Sequence, residues 1–357
     1  MGQSRRLEVD INNSFAKQQM TGQQRYASEM SSALLRLDLQ EKVDFGIINI
    51  SPNSGPFLSW MQTLFLGFRA RRSAWLLTLT SRGPVWARRH AIVVHDLFVF
   101  HKVNWFSPLY RITHSVSLRL QLRFSRLVIC VSPFVAAELE HKRYTKARII
   151  VAPNAPSERF EIHNINFSQK EAVLNKFKVR EKSFVLALGA SDPRKNIGSL
   201  INAHKLLPIT LRQKFPLLIL GKVNSNLFMD VGYEDDQFIK LETRVEDDEL
   251  ALLYNLSAVF VVPSHAEGFG LPLVEALTAG ARIIANDIEV FKWVGGKGVI
   301  YVSCEETGSM LSDVLADVLC SSPGMHKMER YTSPFSWDVS AKLIMDAISE
   351  LEDGSQL

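Results

Sequence analysis

The chain has 357 residues, of which 46% are hydrophobic and 22% charged, so it is long enough for two globular domains and is neither disordered nor fibrous. Its three cysteines match no zinc-binding spacing and favour a reducing compartment. No stretch of about 18 apolar residues occurs, and no apolar core follows the basic amino terminus, which argues against a membrane span and a secretory signal. We therefore expect a cytoplasmic protein.

The charge is unevenly distributed along the chain. Residues 1–180 carry 26 Lys and Arg against 12 Asp and Glu, whereas the remaining residues carry 15 against 25. Most of the positive excess lies in 51–150, where 15 basic residues stand against three acidic ones. This asymmetry favours an anionic substrate or surface as the partner of the first half, although a solvated basic face has the same pattern.

Short apolar runs alternate with helical patterns throughout the chain, which predicts parallel sheets built from βαβ units. We predict two doubly wound, Rossmann-like α/β domains that face each other across a cleft. The predicted strands are Leu7–Ile11, Phe45–Ile50, Ala91–His95, Leu127–Val131, Ile149–Ala152, Phe184–Gly189, Leu217–Gly221, Phe238–Leu241, Val259–Pro263, Ile283–Asn286 and Val299–Val302.

The strand series restarts after a polar stretch, which places the domain boundary near residue 176. The predicted domains are 1–175, which binds the acceptor, and 176–335, which binds the donor. A final segment, 336–357, is expected to form a helix that crosses back to the first domain.

Aromatic and basic residues interleave in segment 57–75, which includes Trp60, Phe65, Phe68 and three arginines, Arg69, Arg71 and Arg72. The segment is too short to span a bilayer, and its composition suits a helix that lies in an anionic membrane interface. A buried helix of the first domain's outer layer is an equal alternative. No nucleic-acid-binding motif occurs, so nucleic acid is not an expected partner.

The most specific pattern is Glu267-Gly-Phe-Gly-Leu-Pro-Leu-Val-Glu275, which follows a predicted strand. The glycines allow close approach of a ligand to the backbone, and Pro272 suits the first turn of a helix. The amino terminus of that helix offers N–H groups to phosphate oxygens. Glu267 would lie at the carboxyl end of the strand, where open α/β sheets bind ligands.

A second pattern follows the first strand of the second domain, in LALGASDPRKNIGSLINAH. Arg194 and Lys195 stand there at a helix start, where cations are unfavourable unless an anion lies between them. The two patterns together resemble the signatures of family-4 retaining glycosyltransferases of the GT-B fold. The resemblance extends over roughly 90–350 and is most specific from 184 to 300.

The resemblance implies roles for these residues. Arg194 and Lys195 would hold the donor diphosphate, Glu267 the hydroxyls of the donor sugar, and Glu275 the ribose. Four loop residues would line the donor: Gly268, Phe269, Gly270 and Leu271. Relatives often have an acidic residue where this chain has Trp293, so a donor contact from that position is not expected.

The first domain carries two further segments that resemble the family. VVHDLFVF ends a predicted strand with His95 and Asp96, and the resemblance implies that His95 faces the donor sugar and that Asp96 binds substrate. QMTGQQRYASEM resembles the glycine loop after the first strand, with Gln24 in place of its second glycine, so close backbone approach is expected at Gly22 only.

The implied function is retaining transfer of a hexose from a nucleotide diphosphate to a glycan or lipid-linked acceptor. Because no Asp-x-Asp motif occurs, we expect neither a metal nor another cofactor. Similarity to bacterial mannosyltransferases of polysaccharide biosynthesis favours GDP-mannose as the donor. The alternatives are a GT-B sugar-nucleotide epimerase, a sugar-phosphate synthase, and a non-catalytic glycan-binding protein. A peripheral position on the inner face of the cytoplasmic membrane fits a lipid-linked acceptor.

Overall fold

The computed structural model describes residues 6–17, 21–37, 43–49, 63, 65–101, 105–161, 166–189, 192–221, 236–321 and 331–354. Within these ranges, strands β1 to β12 are, in order, Leu7–Asn12, Val43–Ile48, Trp75–Thr78, His90–Val94, Leu127–Cys130, Arg148–Val151, Val185–Leu188, Leu217–Leu220, Ile239–Glu242, Val259–Val262, Ile283–Asn286 and Ile300–Val302. Helices α1 to α11 are, in order, Gly22–Leu37, Pro108–Phe124, Pro133–Lys142, Phe167–Phe177, Ile197–Leu206, Ile209–Lys214, Asp247–Leu256, Leu271–Thr278, Glu289–Gly295, Ser309–Cys320 and Trp337–Asp353.

The strands form two six-stranded sheets, each parallel throughout its described pairs. The first has the order β2-β1-β3-β4-β5-β6, and the second has the order β12-β11-β10-β7-β8-β9. Strands β4, β5, β8 and β10 are buried at every position, as expected where helices cover both faces of a sheet. The prediction of two parallel α/β sheets is therefore confirmed.

The contacts divide the chain into two units, residues 1–155 with 335–357, and residues 156–334. The sequence placed the boundary near residue 176, within the second of these units. Helix α4, which lies in the polar stretch before that position, packs on α7, and Lys176 Nζ lies 2.6 Å from Glu249 Oε1. The stretch therefore contributes a helix to the second unit instead of forming a linker.

Helix α11 packs against the first unit. Its first residue, Trp337, is 7% exposed and makes an edge-to-face contact with Tyr26 at 5.4 Å between ring centres. The Ser340 hydroxyl donates to the Pro153 carbonyl at 2.8 Å, and Arg89 pairs with Glu352 at 2.9 Å. These contacts hold both ends of the helix on the first unit.

The structure differs from the sequence-based expectation in segment 57–75. Positions 57–62 and 64 lie outside the described residues, and 65–75 is not one helix but a short 3₁₀ turn, Leu66–Phe68, followed by the start of β3. Trp75 is fully buried in that strand, and Arg71 pairs with Asp10 at 2.8 Å. Trp75 is a core residue for this reason, and the Arg71 charge is neutralised within the unit.

In the described part of the chain, no helix is both long enough and apolar enough to cross a bilayer.

Candidate functional site

Two loops leave neighbouring strands at the centre of the second sheet. Strands β7 and β10 pair in parallel, with Val185 opposite Val259. From β7 the chain proceeds to β8 and β9 on one side, and from β10 to β11 and β12 on the other. The strand order therefore reverses between β7 and β10, and the loops after them lie where open α/β sheets bind ligands.

The Lys195 ammonium and the Glu267 carboxylate join these two loops. Lys195 Nζ lies 2.5 Å from Glu267 Oε1, and the Ser264 hydroxyl donates to the same oxygen at 3.0 Å. The two charged side chains are only 21% and 15% exposed. The His265 N–H donates to the Arg194 carbonyl at 2.8 Å, so the backbone also links the loops. Charges in this position are weakly screened by solvent.

Gly189, the residue after β7, makes room for Lys195. Its φ is +95°, and a Cβ atom added there would lie 2.6 Å from Lys195 Cγ. A side chain at this position would be strained by its backbone angle and would also push the lysine away. The glycine allows Lys195 to fold back over the strand end.

Arg194 binds a different carboxylate, that of Asp192. Arg194 Nη2 donates to Asp192 Oδ2 at 2.6 Å, and Asp192 Oδ1 accepts the Arg194 N–H at 3.0 Å. Burial would raise the pKa of Asp192, but the hydrogen bonds and charge of Arg194 outweigh it and lower the pKa overall. Each cation of the predicted diphosphate site therefore has a carboxylate partner. The clustering of Arg194 and Lys195 therefore does not by itself require an external anion, contrary to the expectation from the sequence.

The glycine-bearing loop reaches α8 through a left-handed residue, Gly270, whose φ is +96°. Phe269 and Leu271 are 3% and 5% exposed, and the Phe269 ring makes an edge-to-face contact with Trp293 at 5.8 Å. Their side chains are part of the core. A ligand contact in Gly268–Leu271 would come from the backbone, and Pro272 in the first turn of α8 confirms the predicted helix start.

Glu275 lies in the middle of α8 and is 3% exposed. Most of its side chain is thus enclosed by the second unit. Its predicted contact with the donor ribose stays a prediction, as do the roles of Arg194, Lys195 and Glu267.

His95, Asp96 and Gly22 lie in the other unit, and the structure gives each a definite local environment. His95 directly follows β4, is 7% exposed, and lies 2.9 Å through Nε2 from the Leu79 carbonyl, so Nε2 carries the proton. Burial lowers the pKa of His95 to about 4, against the opposing effect of that carbonyl. The imidazole is therefore neutral at pH 7. A neutral imidazole can form a hydrogen bond to a sugar, but it does not provide a positive charge that would stabilise an anion.

Asp96 Oδ1 accepts the Phe98 N–H at 3.2 Å and thereby begins the 3₁₀ turn Phe98–Phe100. This contact gives Asp96 a structural role. Gly22 is the first residue of α1, and an added Cβ would meet nothing within 4 Å. Packing within the described residues does not require glycine there, which leaves ligand approach as the predicted reason.

Two asparagines that the sequence reasoning missed hold the site loops in place. Asn286, at the end of β11, donates to the Ser264 carbonyl at 3.0 Å and accepts the Cys304 N–H at 3.0 Å. Asn196, at φ +51°, donates to the Cys304 carbonyl at 2.8 Å. Asn286 could have been predicted as a site residue, because it is a polar residue at the carboxyl end of a predicted strand.

Among the described residues, no three His, Cys, Asp or Glu side chains come together in a way that could hold a metal ion.

The chain is similar in sequence and in fold to known proteins. The sequence model of the family described as "Glycosyl transferases group 1" matches residues 169–333. The O-antigen chain mannosyltransferase B of Escherichia coli is 28% identical over 270 residues, which cover 69% of this chain and 68% of that protein. The serotype-specific mannosyltransferase WbdA of Escherichia coli is 25% identical over 327 residues, which cover 88% of this chain.

This chain spans 38% of the length of WbdA. Among solved structures, sucrose-phosphate synthase from Thermosynechococcus elongatus is similar with a TM-score of 0.71 at 18% identity, covering 98% of this chain and 100% of that one. Together with the two parallel sheets, this likeness identifies the fold as GT-B. Residues 169–333, which match the glycosyl transferases group 1 family, lie in the second unit.

Proposed function

We propose that the chain is a retaining glycosyltransferase that moves mannose from GDP-mannose to a glycan or lipid-linked acceptor. The Lys195–Glu267 pair at the reversal point of the second sheet carries the proposal, because it offers a cation and a carboxylate at the place where such sheets bind ligands. The choice of mannose is supported by the names of the Escherichia coli relatives.

In the proposed reaction, the bond between the sugar and the diphosphate breaks and negative charge develops on the leaving group. Lys195 and Arg194 would stabilise that charge from the loop after β7, and the N–H groups at the start of α8 would do so from the other loop. These fixed donors are the groups that can act without a metal.

Glu267 would position the donor sugar. Both of its described contacts, to Lys195 and Ser264, are made by Oε1, so we assign Oε2 to a sugar hydroxyl. Retention would follow if the acceptor hydroxyl attacks from the face that the diphosphate leaves and gives its proton to the departing diphosphate, without a covalent intermediate on the protein.

The experiment has two parts. Nucleotide sugars are first screened for thermal stabilisation of the protein, and we expect GDP-mannose to give the largest shift. The product formed with that donor is then analysed by NMR, and an α-linked mannose from the α-configured donor is expected. Inversion, or turnover of the donor without any glycan acceptor, would favour another enzyme class. Stabilisation without turnover would favour a binding protein.

Metal independence is part of the proposal. Activity should persist in EDTA, since we propose that Arg194 and Lys195 take the place of a metal in neutralising the diphosphate. Complete loss in chelator that added manganese or magnesium restores would contradict it.

A peripheral position on the cytoplasmic membrane also belongs to the proposal. Within the described part of 57–75, Phe65 and Phe68 are 53% and 71% exposed, and Arg69 and Arg72 are exposed beside them. Exposed aromatic and basic side chains of this kind suit an anionic interface.

A further inference from the structure

Helix α2 presents an apolar stripe to solvent along most of its length. Leu109, Ile112, Val116 and Leu120 are 74%, 61%, 51% and 37% exposed. Their spacing of three, four and four residues places them on one face of a helix. Single exposed apolar residues are common on protein surfaces, but a continuous stripe of four marks an interaction surface.

The face of α2 opposite the stripe packs on the first unit. This packing turns the stripe towards solvent. Leu118, Gln121 and Leu122 on that face are 7%, 0% and 0% exposed. The Ser115 hydroxyl donates to the Val99 carbonyl at 2.7 Å, and Thr145 donates to the Leu122 carbonyl at 2.7 Å. A rotation that buried the stripe would break these contacts.

The surroundings of the stripe are basic. Arg119 and Arg123, both exposed, lie on the same side of the helix as the stripe. From residue 97 to residue 137 the sequence contains five Lys or Arg and no Asp or Glu. An apolar stripe flanked by arginines, without acidic residues, has the composition of helices that lie in the headgroup region of a bilayer.

We infer that α2 docks the first unit on an anionic lipid membrane, with Leu109, Ile112, Val116 and Leu120 inserted among the lipids and Arg119 and Arg123 at the headgroups. A second copy of the chain is a poorer occupant, because pairing two such faces would bring like charges together. The inference concerns α2, a different element from segment 57–75, and it does not depend on the proposed transfer reaction.

The position of α2 along the chain determines which loop of the first unit the docking would bring to the membrane. The helix follows the loop that carries His95 and Asp96, and the Ser115–Val99 bond joins it to the 3₁₀ turn at the end of that loop. Docking through α2 would therefore hold this carboxyl-edge loop of the first sheet near the membrane surface. A lipid-linked acceptor would meet the protein at that surface.

The test is co-sedimentation of the full chain with vesicles of phosphatidylglycerol and of phosphatidylcholine. We expect binding to the anionic vesicles at 0.1 M salt and its loss at 1 M, where the Debye length falls from about 10 Å to about 3 Å. The Ile112→Ser/Val116→Ser variant should bind the anionic vesicles roughly tenfold or more weakly, because two apolar side chains no longer insert. Arg119→Ser/Arg123→Ser should weaken the preference for anionic lipid.

The matched control is Leu206→Ser/Ile209→Ser in the second unit, where the side chains are 59% and 54% exposed, close to the 61% and 51% of Ile112 and Val116. The control variant should bind vesicles like the parent. Equal binding to both lipids, or unchanged binding of the Ile112→Ser/Val116→Ser variant, would overturn the inference. So would a lipid-free dimer that this variant dissociates, since the stripe would then belong to a second copy.

The test is separable from that of the proposed function. Stabilisation by a nucleotide sugar reports on the second unit, so the α2 variants should keep it in full. Loss of vesicle binding with donor stabilisation intact isolates the docking surface. Absence of donor stabilisation in the parent with vesicle binding intact would instead reject the proposed activity and leave the docking inference standing.

Discussion

Lys195 Nζ and Glu267 Oε1 lie 2.5 Å apart, although the two residues are separated by 72 positions in the sequence. This ion pair joins the loops after β7 and β10, where the strand order of the second sheet reverses, and it is mostly shielded from water. A diphosphate that binds there must compete with Glu267 for the ammonium group. Lys195 would then be shared between the Glu267 carboxylate and the diphosphate.

Replacing Lys195 by Ala should therefore lower turnover by about tenfold to a thousandfold, or about 1.4–4 kcal/mol of transition-state stabilisation. Arg194→Ala should have an effect in the same range, because Arg194 lies beside Lys195 in the loop after β7. The measurement is the initial rate with a saturating nucleotide sugar. Lys292→Ala, which removes an exposed lysine of the same unit paired with Asp287 at 2.6 Å, is the control and should keep full activity. Full activity in both site variants would show that the diphosphate binds elsewhere.

The strand pattern was readable from the sequence because parallel strands covered on both faces are continuous apolar runs. Eleven of the twelve strands in the described residues correspond to predicted ones, all within two residues at each end. The missed strand, Trp75–Thr78, begins three residues after Arg72, and an aromatic-basic segment has a composition that suits an interfacial helix equally well. The segment forms a strand because it pairs with Val9–Ile11 on one side and His90–Ile92 on the other. These partners are distant in the sequence, so no local pattern shows the pairing.

The site was predictable in its parts but not in its pairings. The glycine-proline pattern locates the start of α8 locally, and the structure confirms it. That Lys195 meets Glu267 depends on the adjacency of β7 and β10, which no local pattern shows.

Acid should destabilise the first unit through two buried histidines. Burial lowers the pKa of both His90 and His95 to about 4. The unfolded chain takes up protons near pH 6.5, so the stability present above that pH is lost as the pH falls towards 4. Each histidine contributes up to about 1.4 kcal/mol per pH unit in that window.

The His90→Gln variant tests this dependence, because an amide can still hydrogen-bond Thr78 and Ser125. Denaturant unfolding measured at several pH values between 4 and 7 should give a shallower dependence of the free energy of unfolding on pH than in the parent. His141→Gln removes an exposed histidine and should leave the slope unchanged. Equal slopes in His90→Gln and the parent would mean that His90 is protonated at similar pH in both states.

Removing the Trp337 side chain should loosen α11 from the first unit. Trp337 packs edge-to-face on Tyr26 and is 7% exposed, so Trp337→Ala should cost about 3–5 kcal/mol in the free energy of unfolding. Val339→Ala, on the same helix but 60% exposed, should change it by less than about 0.5 kcal/mol. Denaturant titration of both variants gives the comparison, and similar costs would show that the tryptophan is not the anchor of the helix.

The Gly270→Ala variant tests whether the loop before α8 is fixed by its backbone. At φ +96° an alanine is disfavoured by about 1–2 kcal/mol, and its Cβ would lie 2.8 Å from the ring of the buried Phe291, which adds about 1–3 kcal/mol of overpacking. Gly280→Ala is the matched control, since Gly280 has φ +74° but the nearest atom, on Asn255, is 3.6 Å from an added Cβ. We expect the Gly270 variant to lose more stability and, because the loop begins with Glu267, to lose stabilisation by the nucleotide sugar as well. Equal costs of the two substitutions in denaturant unfolding would mean that Phe291 moves aside and that the loop has other conformations.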